Sequence, residues 1–77
     1  MTERHTARRD DHPAHLVLVD QSGAKQEIAQ PSAVTGMIEA ELAVRRNGIH
    51  LREVKVISHN RAVARWKAGV LGWRRVV

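Results

Sequence analysis

The chain has 77 residues, no cysteine, phenylalanine or tyrosine, and a net charge of +5. This length excludes more than one domain and leaves little room for a closed catalytic pocket. The lack of cysteine excludes a disulfide framework, a thiolate zinc site and a cysteine nucleophile, and points to the cytoplasm as the compartment.

Met1 to Pro13 is polar, and its charges cancel: Arg4, Arg8 and Arg9 against Glu3, Asp10 and Asp11. It predicts a flexible tail over 1–13, ahead of a single domain over 14–77. No apolar stretch follows its arginines, so it does not read as a signal peptide. The longest wholly apolar run, Leu16 to Val19, is far too short to span a bilayer.

The apolar run Leu16 to Val19 marks a strand over about 15–20. Asp20-Gln21-Ser22-Gly23 is a dense turn signal, and Ala24 to Ala29 reads as the returning strand. The first strand is apolar on both faces and is expected to be the more central. Ser32 can cap a helix over 33–47, in which Val34, Met37, Ile38 and Leu42, with Val44 at the edge, form an apolar stripe. Glu41 and Arg45 stand at i,i+4, Arg45 and Arg46 lie in the last turn, and Asn47-Gly48 supplies the stop. Ile49 to Ser58 reads as a third strand. Its apolar residues change parity between Leu51 and Val54, which a bulge near Arg52–Glu53 or burial on both faces would explain.

The segment from Arg61 to Val77 carries Arg61, Arg65, Lys67, Arg74 and Arg75 and no carboxylate. It therefore holds the whole excess of positive charge, together with both tryptophans. Val63, Trp66, Val70, Trp73 and Val77 fall at spacings of three and four, which predicts an amphipathic helix. Gly69 and Gly72 oppose it at about 1 kcal/mol each. The alternative is a tight turn at His59-Asn60 and two strands that part near Lys67–Gly69. The expected fold is a small two-layer α+β domain of order β-β-α-β-α, with β-β-α-β-β as the alternative.

No catalytic or cofactor motif is found, and no cofactor, small-molecule substrate or enzymatic activity is expected. Of the five histidines, His12 and His15 are separated by Pro13 and a strand start, so no metal site is expected. Glu39 and Glu41 point to different sides of a helix, and no serine or threonine stands in a nucleophile elbow. Glycine-rich phosphate loops and the known nucleic-acid-binding modules are absent.

The basic residues Arg61, Arg65, Lys67, Arg74 and Arg75 are the candidate binding surface, for phosphates or for an acidic protein face. In general profile the chain is similar to the small proteins of phages and mobile elements, anti-CRISPR inhibitors among them. The resemblance lies in general character alone, since the chain is short, cysteine-poor, compact α+β and without a catalytic signature. It implies a protein that docks on a host protein or nucleoprotein complex and inhibits it. The alternative is a DNA- or RNA-binding regulator or architectural protein. A membrane partner is not expected, because the apolar side of the last helix is assigned to the core. A homodimer would add buried area to so small a domain.

Overall fold

A computed structural model describes residues 13–77. The tail expected over 1–13 lies, but for Pro13, outside the described residues. The element order is β1 (Ala14–Asp20), β2 (Lys25–Gln30), α1 (Ala33–Asn47), a 3₁₀ turn (Gly48–His50), β3 (Leu51–Ser58), β4 (Arg61–Gly69) and β5 (Gly72–Arg75). The five strands form one antiparallel sheet in the order β2-β1-β3-β4-β5. β1 is interior, as its two apolar faces require.

The expected order β-β-α-β-α is therefore corrected to β-β-α-β-β, because the final helix does not exist. His59 and Asn60 take φ of 55° and 64°. Positive φ at both central residues marks the type I′ turn that joins two-residue hairpins. Gly72 takes φ of 115°, a conformation that no helix interior contains. It closes the Val70-Leu71 turn between β4 and β5. The spacings of three and four arose from two strands, a bulge and a turn. Between β3 and β4 the register slips from Val56↔Ala64 to Ile57↔Ala62, which leaves Val63 as the extra residue. Trp66 is buried and Val63 and Trp73 reach the core, whereas Val70 and Val77 are exposed.

One face of the sheet holds α1. Ala14 and Leu16 of β1, Leu51, Val54 and Val56 of β3, and Ala64 and Trp66 of β4 form the core there with Ala40 of the helix. Of the two explanations for the parity change in β3, the bulge near Arg52–Glu53 is the one present. Val19 pairs with Glu53 and Asp20 with Leu51, so Arg52 is the extra residue. It lets Leu51 and Val54, of opposite parity, both face the helix. Ile49, expected in the strand, lies in the 3₁₀ turn and is 81% exposed.

The helix has the predicted bounds. Its Ser32 Oγ accepts from the Thr35 amide at 3.2 Å. Its burial differs from the stripe read in the sequence. Gly36 and Ala40 are the buried residues, while Val34 and Ile38 are 49% and 55% exposed. Small residues set the approach: a Cβ on Gly36 would stand 3.0 Å from Val56 Cγ1. Gly48 is also needed for space, since its backbone is right-handed and a Cβ there would meet the Trp73 indole nitrogen at 2.7 Å.

The β1–β2 turn is held by one carboxylate. Asp20 Oδ1 accepts from the Ser22 hydroxyl at 2.6 Å and from the amides of Ser22 and Ala24 at 2.9 and 3.0 Å. The Ser22 hydroxyl foremost, with the amides of Ala24, Ser22 and Gly23, holds the Asp20 carboxyl below its ordinary 3.8, against an opposing effect of desolvation. A lowered folded-state value means that the unfolded chain binds the proton more readily. The turn's contribution is thus complete above pH 3.8 and is lost as pH falls through the lower folded value. Melting curves of the wild type and Asp20→Ala should differ above that pH and converge below it. A difference that persists into strong acid would show that the carboxylate charge is not what holds the turn.

Candidate functional site

Ala64 and Trp66 face the helix, so alternation along β4 places Arg65 and Lys67 on the opposite face. In β5, Trp73 reaches the core, which puts Arg74 on that opposite face with them. Register then brings the cations together. Lys67 stands directly across from Arg74, and Arg65 directly across from Lys55 of β3. Cβ atoms of directly opposed residues in an antiparallel pair lie about 4.5–5.5 Å apart. Lys67 and Arg74 are exposed, and Lys55 and Arg65 are half-buried.

A single carboxylate lies among these four cations. Glu53 pairs in register with Lys67, and its Oε2 lies 3.1 Å from Arg65 Nε. That contact is an ion pair and not a hydrogen bond, because the buried Nε–H is not aimed at an acceptor. With the Arg65 side chain 37% exposed, such a pair contributes about 0–1 kcal/mol. Across β1 the same face is balanced: Val19 is flanked by Lys25 and Glu53, and Val17 by Glu27 and Lys55. The charge on this face is thus polarised toward β3, β4 and β5.

The structure divides the five residues read from the sequence. Arg65, Lys67 and Arg74 share one surface. Arg61 is exposed at the far end of β4, opposite Ser58 and about 20 Å from Lys67 at the usual strand rise. Arg75 belongs to the helix side. Its guanidinium carbon lies 5.3 Å from the Trp66 ring centroid, its Nη2 lies 4.0 Å from Met37 Sδ, and its Nε donates to the Val77 carbonyl at 2.6 Å. It closes the core over Trp66 and does not join the basic face. Lys55 was not singled out in the sequence, although its place between core-facing Val54 and Val56 is the signal that puts it there.

Among the described residues no three histidine, aspartate or glutamate side chains gather as a metal site. Among them, too, no helix is long and apolar enough to cross a membrane. Both tryptophans are on the helix side, so no indole of the described residues lies on the basic face. Compared with protein-family models, with curated proteins and with solved structures, the chain matches none.

Proposed function

We propose that this protein is a non-enzymatic nucleic-acid binder that holds the phosphodiester backbone on the β3–β4–β5 face without reading base sequence. The observation that carries this reading is the pair of facing like charges, Lys55 against Arg65 and Lys67 against Arg74. Like charges directly opposed across a sheet are destabilising. A polyanion laid across the strands removes that repulsion and releases counterions, so the cost in the free protein returns as affinity. Phosphate contacts position a protein, whereas base contacts specify sequence. With both tryptophans on the helix side, the expected ligand is recognised by charge and shape. A regulator or architectural protein acting in the cytoplasm fits such binding.

A docking inhibitor of a host protein or nucleoprotein complex is the second reading. It draws on one different observation, the half-exposed Val34 and Ile38 one turn apart on the outer side of α1. The two readings place the ligand on opposite sides of the molecule. Titration of the isotope-labelled protein with a short DNA duplex, followed through backbone amide shifts, separates them. The phosphate reading expects shifts at Lys55, Arg65, Lys67 and Arg74 and none along α1. No shift, or shifts confined to α1, overturns it.

A further inference from the structure

The β4–β5 hairpin ends in two aliphatic side chains, Val70 and Leu71, and both are as exposed as in an extended chain. Ile49 is 81% exposed at the same end of the molecule, since its neighbour Gly48 lies against the Trp73 indole beneath the hairpin. Val76 is also part-exposed, and it lines a surface hollow of about 440 Å³ with Val70, Leu71, Trp73, Lys67 and Arg74. Contiguous exposed apolar groups of this kind mark an interaction site.

Their arrangement relative to charge indicates the partner. Gly69 pairs with Gly72 just behind the tip, and Lys67 pairs with Arg74 two residues further back. At the usual strand rise these cations lie about 10 Å behind the tip. Interfacial segments bury their apolar side about 5–10 Å into the headgroup and acyl boundary, where anionic headgroups attract cations. Trp73 lies between the tip and the cations, at the level that tryptophan occupies in membrane interfaces. A wedge between DNA bases needs one apolar side chain. Here Val70 and Leu71 stand side by side at the tip and share a hollow with Val76, a patch broader than a base step.

We infer that the β4–β5 hairpin inserts Val70 and Leu71 into an anionic lipid surface, with Lys67 and Arg74 seated at the headgroups. The sequence-based expectation against a membrane partner rested on a final helix whose apolar side was committed to the core. A hairpin leaves Val70 and Leu71 outside that core. This inference rests on the tip and does not depend on the phosphodiester reading, although Lys67 and Arg74 serve both and the two ligands should compete.

The test uses the full chain with vesicles of phosphatidylcholine containing phosphatidylserine, with phosphatidylcholine vesicles and duplex DNA as the other arms. Binding is read by co-sedimentation and by tryptophan emission. Trp66 is buried, so a blue shift on insertion reports Trp73. The wild type should bind the phosphatidylserine vesicles and should lose that binding on phosphatidylcholine alone. Val70→Ser with Leu71→Ser should weaken vesicle binding roughly a hundredfold, the equivalent of two aliphatic side chains left in water. Both side chains are fully exposed, so the variant should keep the wild-type melting temperature and its affinity for DNA. Vesicle binding that is absent, or that survives in this variant, overturns the insertion. So does a variant that loses DNA affinity, because the tip would then belong to a nucleic-acid site. If neither protein binds DNA, the phosphodiester reading fails while the vesicle result stands by itself.

Discussion

Replacing Trp66 by alanine should destabilise the domain by about 3–5 kcal/mol, the usual cost of deleting a buried tryptophan. The residue is 7% exposed and belongs to the core with Ala40, Val54 and Val56. It pairs in register with Val54 on one side and with Arg75 on the other, so its ring joins β3 to the last strand. Its loss also leaves the Arg75 guanidinium without the ring beneath it, an interaction of about 0.5–1 kcal/mol at a partly exposed site. A domain of this size has only about 4–12 kcal/mol of stability in total. Thermal unfolding is the measurement, and a fall in Tm of more than about 12 °C is expected. An unchanged melting curve would mean that Trp66 is not in the core, and the pairing of β4 with β3 would then be wrong.

The second large effect concerns binding. Lys67→Gln with Arg74→Gln removes two cations from the centre of the basic face. If each makes a charge-assisted hydrogen bond to phosphate, the double variant should bind DNA about a hundredfold more weakly at fixed salt. Stability should not follow. The Lys67–Arg74 repulsion is relieved, and this offsets the attraction lost between Lys67 and Glu53. A loss of affinity with no loss of Tm separates a binding role from a structural one. Wild-type affinity in the variant would remove these residues from the site.

Local signals made half of this fold legible in the sequence. The turn at Asp20 to Gly23 carries its own chemistry, with one carboxylate gathering the hydroxyl and amides that follow it. The helix over 33–47 has its cap in Ser32, and the parity change between Leu51 and Val54 left a bulge near Arg52–Glu53 or burial on both faces, of which the register shows the bulge. Burial along the helix was less legible. Of the stripe, Met37 and Val44 do pack against the core, but the sheet lies so close that Gly36 and Ala40 are the residues buried between helix and sheet. Val34 and Ile38 are left on the outer side.

The last seventeen residues misled for a specific reason. Val63, Trp66, Val70, Trp73 and Val77 match a helical period by coincidence of a bulge at Val63 and a turn at Val70-Leu71. The backbone signals were the sounder ones. His59-Asn60 suits a turn of positive φ, and Gly72 supplies the conformation that closes the next one. The same misreading blurred the site. On a helix, all five basic residues would share one arc. On a hairpin, alternation sends Arg75 to the Trp66 side and leaves Arg61 at the far end of β4. Pairing with β3 brings in Lys55, whose partner no local pattern could name.

If the facing cations on β3, β4 and β5 neutralise phosphates, duplex DNA binding must weaken steeply as salt rises. Fluorescence anisotropy over a range of salt, for the wild type and for Lys67→Gln with Arg74→Gln, reads this dependence. Each phosphate contact contributes a slope of about −0.9 in log affinity against log salt. The wild type should show a steep negative slope, and the double variant one shallower by about two. A flat wild-type dependence, or equal slopes for the two proteins, would contradict phosphate neutralisation by this face.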